Sequence, residues 1–461
     1  MGKRKKDGKN RKNKNRWKVV IVWNTKKIII KKGLLSLHYG CKVNQYETNL
    51  LKERFEENNY EVVDTSQKAD IYCINTCSVT NMSDRKTRQA INKVKAQNPM
   101  AIVAALGCYA QSLKEKAEEI NADCIIGNDN KNEAFEIIEE CVNRKKKKFT
   151  HIIDISKERK YKSQGTLKHG YEIRENIKIE DGCNNFCSYC IIPYVRGRVR
   201  SRDLKEIIEE AKNLAKNRVK EIVLVGIEVA SYGQDIENRV DLINVIEEVS
   251  KVEGIERIRI SSIEPRYLSK ENIKRLSNIP KFCEHFHISM QSGSKEVLKR
   301  MNRKYDNEYL IEVCKNIKEV FKNATISVDV IVGFPEETDK EFEETVQTIE
   351  KMGLMKLHVF KYSKRSFTVA ARMQGQVDGN VKKQRSNKLI KISNKCTKDV
   401  LSEYLGKTEK VLFESYKNEY LYGYTKNYIM CKVRGDESLC GTIQDVVLTS
   451  LEKEQMLGTI K

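Results

Sequence analysis

Twice along this chain, short apolar runs alternate with amphipathic helical stretches, and that alternation leaves few folds open. Between Leu34 and about Cys141, LLSLHYGC is followed by YETNLLKERFEEN, ADIYCINTC by SDRKTRQAINKVKAQ, AIVAALGC by SLKEKAEEI, and ADCIIG by NEAFEIIEECV. A β-α series of this kind predicts a small, doubly wound parallel sheet over 34–142. The alternation restarts over 169–399 with six strand-like runs, ENIKIED, EIVLVGIE, RIRISSIE, HFHISM, ISVDVIVGF and KLHVFKYS. Helical stretches such as DLKEIIEEAKNLAKN, NEYLIEVCKNIKEVF and DKEFEETVQTIEKM separate them. Six parallel β-α units predict an open, partial (β/α)6 barrel whose site lies at the carboxyl ends of its strands. Over 401–461 the runs become short and turn-bounded (EKVLFESY, EYLYGYTKNYIMCKV, GTIQDVVLTS, MLGTIK), which predicts a small β-barrel. The fold class is therefore α/β with a small carboxy-terminal β domain.

Onto this frame the sequence sets two groups of cysteines. Cys183, Cys187 and Cys190 stand in EDGCNNFCSYCIIPYVRGR, in the loop after the first strand of the larger unit. Three thiolates leave a metal position open, whereas four would close a tetrahedral zinc site. An open position can take a substrate; the plainer alternatives are a zinc knuckle short of a ligand or three buried thiols. Cys41, Cys77 and Cys108 each end a predicted strand of the first sheet. Carboxyl ends of parallel strands line a crevice, so these three can converge on a second metal site. Buried strand cysteines are the alternative, and Cys73 and Cys124 are read that way.

Charge points to the partner. The chain is 461 residues long with a net charge of +22, and the excess is concentrated. Residues 1–33, a basic tail, carry 14 Lys and Arg against Asp7 alone, and the linker 143–168 begins with Arg144 to Lys148. Such patches suit a polyanion, because each neutralised phosphate releases counterions. Arg196, Arg198, Arg200 and Arg202 follow the cysteine triplet and are candidate phosphate contacts, or else pair with acidic helices. The carboxy-terminal unit has near-zero charge but many tyrosines, of which Tyr424 and Tyr428 are candidates for stacking on unpaired bases or for core packing. With no signal peptide and no membrane-spanning run, a cytoplasmic location is expected. There the 14 cysteines read as ligands or buried thiols rather than disulfides.

The triplet with Tyr189 before its third cysteine resembles the radical S-adenosylmethionine (AdoMet) enzymes. The wider set of motifs resembles one family of them, the methylthiotransferases: GCKVNQYET, NTCSVTNMSDRKTRQ and GCYAQ in the first unit, and DGCNNFCSYCIIPYVRGRVRSR, SSIEP, HISMQSGSKEVLKRMNRKY and DVIVGFPEET in the second. The tail resembles their TRAM domain. GCKVNQYET with GCYAQ is closest to the branch that acts on threonylcarbamoyladenosine beside the tRNA anticodon, rather than to the isopentenyladenosine or ribosomal-protein branches. Four positions depart from the family pattern: Glu228 where His is usual, Glu336 where Gly is usual, and Ser366 and Phe367 in place of Pro-Gly.

The resemblance implies two 4Fe-4S clusters, one on Cys183, Cys187 and Cys190 that binds AdoMet, and an auxiliary one on Cys41, Cys77 and Cys108 that carries sulfur. It implies AdoMet contacts at Tyr189 and Glu264. It also implies tRNA as substrate, a reductant such as flavodoxin or ferredoxin, a sulfur source, and addition of a methylthio group to carbon 2 of the modified adenosine. Two other readings stand beside it: a zinc-containing RNA-binding protein without catalysis, and a radical enzyme that modifies a protein.

Overall fold

Residues 18–22 (as backbone alone), 41–63, 69–143, 148–237 and 240–461 are described by the computed structural model. In the first body six parallel strands form one sheet in the order β2-β1-β3-β4-β5-β6. They are β1 Lys18–Val22, β2 Glu61–Val62, β3 Ile71–Thr76, β4 Ile102–Gly107, β5 Cys124–Ile126 and β6 Phe149–His151. Strands β3, β4 and β5 occupy three of the expected runs, while the expected strand LLSLHYGC lies, apart from Cys41, outside the described residues.

In this sheet three strands fall where none was expected: β1, β6 and β2, the last only two residues long and so without a period to read. β1 lies in the segment read as a basic tail, because KVVIV is β-branched apart from its lysine, a strand composition that the surrounding lysines obscure. β6 lies in the segment read as a linker, where three residues are too few to show a period. SLKEKAEEI, expected to be helical throughout, divides into the end of a short helix, Cys108–Leu113, and a 3-10 segment, Lys114–Glu119, because Lys114 at φ 50° turns the chain between them. Both faces of the sheet are apolar, as a parallel sheet requires. Phe55, Ile71, Cys73, Ala104, Cys124 and Ile138 pack on one side, and Tyr72, Ile74, Val103, Ala105 and Ile125 on the other. Cys73 and Cys124 are thus core residues.

The second body holds two three-stranded parallel sheets. One comprises β7 Arg174–Lys178, β10 Glu221–Val225 and β11 Arg257–Ile260; the other comprises β12 His285–Gln291, β13 Thr325–Val332 and β14 Lys356–Lys361. Parallel bridges Ile258 to Phe282 and Ile263 to Ile288 join them. All six strand-like runs of the sequence lie on these strands. Ile177, Ile179, Ile222, Leu224, Ile258 and Phe286 enter one large core with the surrounding helices, and Tyr46 and Leu50 of the helix Lys42–Glu57 enter the same core. The first body is therefore fastened to the second by shared apolar burial.

Between β7 and β10 the antiparallel pair β8 Glu180–Asp181 and β9 Arg200–Ser201 closes the base of the loop that carries the cysteine triplet. The helix Gly379–Ser402 then leads to a closed five-strand barrel in the order β15-β16-β17-β19-β18. Its strands are β15 Thr408–Lys417, β16 Tyr420–Thr425, β17 Met430–Arg434, β18 Ile443–Glu452 and β19 Gln455–Ile460. Arg257, the first residue of β11, donates to Tyr424 O at 2.8 Å and Lys410 O at 2.7 Å. The barrel thus covers the amino-terminal ends of the core strands, opposite the cysteine loop. No helix among the described residues is long and apolar enough to cross a membrane.

Candidate functional site

The loop that carries Cys183, Cys187 and Cys190 is fixed at both ends. Gly182 sits at φ 84°, and a Cβ there would stand 1.8 Å from Arg198 O, so only glycine lets β8 and β9 close beneath the loop. Beyond it, Ser188 N donates to Met301 O at 3.0 Å, Ser188 Oγ to Arg300 O at 2.8 Å, and Asn302 Nδ2 to Phe186 O at 3.1 Å. Arg303 Nη1 donates to Cys187 Sγ at 3.2 Å. Burial pushes the Cys190 thiol up to about 12, and Cys187 adds to that; burial, then Glu228, raises Cys183, with Cys190 and Cys187 contributing. Thiols held protonated at Cys183 and Cys190 by burial and by their neighbours fit a site where a cationic cluster replaces those protons.

Cys41, Cys77 and Cys108 are also brought together. Cys41 precedes the helix Lys42–Glu57, Cys77 follows β3, and Cys108 follows β4 and opens a helix. Gly107 turns at φ 100°, where a Cβ would meet Asn75 Oδ1 at 2.8 Å. Burial raises Cys77 to about 12, and the Cys41 and Cys108 thiols push in the same direction. Cys77 and Cys108 are buried, and Cys41 lies exposed at the rim. Among the described residues no three Cys, His, Asp or Glu side chains surround a point that one metal ion would occupy. The thiols of a four-iron cluster bind separate irons and do not share such a point.

A buried ionic network joins the two triplets. Arg196, on the short helix Ile192–Arg196 that follows the first triplet, donates Nε to Cys108 Sγ at 3.3 Å. Its remaining donors reach Glu47 at 2.6 Å, Asp181 at 3.1 Å and Asn44 at 2.7 Å. Lys131 and Lys178 also pair with Glu47, at 2.5 and 2.9 Å. Burial alone would raise Glu47, but Arg196, Lys131 and Lys178 outweigh it and hold its carboxyl well below the usual range. Pairing of this completeness is what permits so many charges inside.

Several expected roles change. Arg196 is fully buried with its donors paired, so it is not a phosphate contact; Arg200 and Arg202 are buried likewise, on Asp129 and Glu210. Arg198 alone of the four is exposed, its guanidinium 4.4 Å from the Phe186 ring. Tyr428 lies between Tyr424, at 4.6 Å, and His285, at 4.7 Å, the three rings nearly parallel, with Arg174 and Arg259 against the stack. Both faces of Tyr428 are occupied, and one face of Tyr424, so this pair fastens the small barrel to the core and does not offer Tyr428 to a base. Tyr189 packs against Val297, Met301, Phe334 and Ala370 beside the cysteine loop. Glu264 is buried, and its carboxylate accepts from Arg266 N and Nε, both at 2.9 Å.

Other participants were not singled out from sequence. Glu228, noted above only as a departure, is raised to about 7 by burial, with Arg303 opposing and Glu264 adding, and it accepts from Asn185 Nδ2 at 3.4 Å. Arg303, Glu47, Lys131 and Lys178 complete the surroundings. One signal was available: charged or polar residues at Asn176, Lys178 and Glu180 alternate with Ile177 and Ile179, which marks a polar inner face.

Residues 34–127 match the family described as "Uncharacterized protein family UPF0004", and residues 177–349 match the radical SAM superfamily. The chain is 40% identical to the threonylcarbamoyladenosine tRNA methylthiotransferase MtaB of Bacillus subtilis (strain 168), over 88% of its own length and 91% of the relative's. Against the enzyme of the same name from Aquifex aeolicus (strain VF5) it is 39% identical over 86% and 95%. Against the tRNA-2-methylthio-N(6)-dimethylallyladenosine synthase of Alkaliphilus oremlandii (strain OhILAs) it is 34% identical over 92% and 91%. Among solved structures it resembles the radical S-adenosylmethionine methyltransferase TsrM from Kitasatospora setae, at 12% identity and a TM-score of 0.55, covering 77% of this chain and 74% of that one. That likeness is one of fold.

Proposed function

The chain belongs to the MtaB-like radical AdoMet methylthiotransferases, tRNA-modifying transferases that use 4Fe-4S clusters and AdoMet, and we propose that its substrate is threonylcarbamoyladenosine beside the anticodon, which it converts to the 2-methylthio derivative. What carries the choice of substrate is the identity of 40% and 39% to two enzymes named for that base, against 34% to one named for dimethylallyladenosine.

In this reading Cys183, Cys187 and Cys190 hold the AdoMet-binding cluster, and Cys41, Cys77 and Cys108 hold the auxiliary one. When bound, the clusters and AdoMet supply the one-electron chemistry and the sulfur that carbon 2 of adenine requires, since no side-chain base removes its hydrogen. The protein's own residues orient and enclose. Arg303 donates to Cys187 and keeps one wall of the radical site cationic. Arg196 holds Cys108 and, through Asp181, the base of the other loop. Tyr189, Glu228 and Glu264 line the neighbourhood in which AdoMet would be positioned. A partial (β/α)6 barrel carries this site, and the closed barrel at 408–460 is assigned as a TRAM-like RNA-binding module. A reductant such as flavodoxin or ferredoxin and a sulfur source complete the requirement.

Nucleoside analysis of tRNA tests the substrate. Expression of the chain in cells lacking both methylthiotransferase activities should restore 2-methylthio-threonylcarbamoyladenosine. Restoration of only 2-methylthio-isopentenyladenosine, or of neither, would reject the assignment.

A further inference from the structure

Phe367 is held in a backbone conformation that an aromatic residue rarely adopts, and it is held there with its ring half in solvent. Its φ is 71°, in the left-handed region, and the residue is 50% exposed. A bulky residue persists in that region only where its surroundings impose the conformation, and such positions cluster at functional surfaces. The surroundings here do impose it. Two residues earlier, Arg365 is buried against the first body and donates to Ser78 at 2.6 Å and Asn81 at 2.6 Å, with Asp84 at 2.7 Å. Thr368 Oγ1 closes back on Arg365 O at 2.7 Å, and Ala370 N donates to Ser188 O at 2.8 Å. The segment 363–370 therefore crosses from the loop after Cys77 to the loop of Cys187, with Phe367 on its outer side between the two triplets.

The rim around it has one consistent chemistry. Val79 and Met82, which follow Cys77, are each about half exposed at 52% and 51%, and Val369 stands beside Phe367 at 50%. Across the cysteine loop Tyr194 is exposed, edge-on to Phe186 at 6.1 Å, with Arg198 over Phe186. The Lys114 ammonium stands 5.2 Å from the Phe367 ring centroid. Exposed apolar side chains interleaved with the Lys114 and Arg198 cations, on segments that adjoin both thiol triplets, match unpaired bases on a phosphate backbone. The small barrel lies at the opposite ends of the core strands, and its Tyr424–Tyr428 pair is occupied, so it does not serve this mouth.

We propose that Phe367, with Tyr194 across the mouth, is the stacking platform for unpaired bases of the tRNA anticodon loop. The proposal rests on the tRNA reading above and locates the surface that reading leaves open.

The test is binding of the full-length protein to an anticodon stem-loop and to an RNA duplex of equal length, followed by fluorescence anisotropy across a salt series. Phe367→Gly removes the ring and fits the left-handed backbone, and Phe367→Asn tolerates the same backbone. Both should bind the stem-loop roughly five- to a hundred-fold more weakly, the loss of one stacked base. Duplex binding and the salt slope should stay as in the parent, and Phe367→Tyr should bind normally. The melting temperature of Phe367→Gly should be equal to or above the parent's, since strain is relieved. Parent-like stem-loop affinity in Phe367→Gly or Phe367→Asn would overturn the platform, as would a loss that appears equally with duplex RNA. Failure of the parent itself to prefer the stem-loop would instead overturn the tRNA reading on which the platform rests.

Discussion

The guanidinium of Arg196 lies 3.3 Å from the thiol of Cys108, although one residue ends the helix that follows one cysteine triplet and the other belongs to the second triplet. One side chain thereby fixes the spacing of two sites. Removal of the cation strands Glu47 and Asp181 in the interior. Arg196→Gln should therefore lower the unfolding free energy by about 3–5 kcal/mol, the usual effect of breaking a buried pair on one side. Combining it with Glu47→Gln should cost less than the sum of the two single changes. Denaturant titration of the single and double variants measures this, and additive losses would refute the coupling.

The two triplets are separable by product. Ala at Cys183, Cys187 and Cys190 together should remove about half of the iron and abolish AdoMet cleavage. Ala at Cys41, Cys77 and Cys108 should leave reductive formation of 5′-deoxyadenosine and eliminate methylthiolated product. Iron assay and chromatography of both products decide it. Full iron in the first variant would reject the ligand assignment.

Burial raises Glu175 to about 7, even though the Tyr171 and Glu172 amides oppose it. Between the ordinary carboxylate value and 7, the folded chain holds a proton that the unfolded chain has lost. Its contribution to stability therefore falls as pH rises through that window and is flat above it. Glu175→Gln should flatten that part of the profile and exceed the parent by about 3 kcal/mol above pH 7, since each tenfold difference in proton affinity between the two states is worth about 1.4 kcal/mol. Chemical denaturation at pH 5 and pH 8 supplies the comparison.

Tyr428 joins the small barrel to the core through its stack with Tyr424 and His285 and its contacts with Arg174 and Arg259. Tyr428→Ala should cost about 2 kcal/mol of stability, from the stack and the cation contacts. RNA affinity measured well below the new melting temperature should be unchanged. A parent-like melting curve with weakened RNA binding would restore the tyrosine to the RNA surface.

Much of this chain was legible before folding. The β-α alternation located the six core strands because period and length are local properties of a sequence, and the grouping of Cys183, Cys187 and Cys190 was legible because the three lie on one loop. The run KVVIV was hidden by its lysine-rich flanks, and the Lys145–Lys147 run lies outside the described residues, so its expected contact with RNA stands only as a reading of charge.

The sequence by itself determined the fold class, the two thiol sets and the cationic character of the chain, since each follows from residues near one another in the chain. Only the tertiary structure decided which of those cations face water. Arg196, Arg198, Arg200 and Arg202 alternate along one short stretch, yet three are buried on Glu47, Asp129 and Glu210, and one is exposed. Their acidic partners come from distant segments of the chain. Burying an arginine is permitted only when such partners meet it, and that meeting is fixed by packing, not by local sequence.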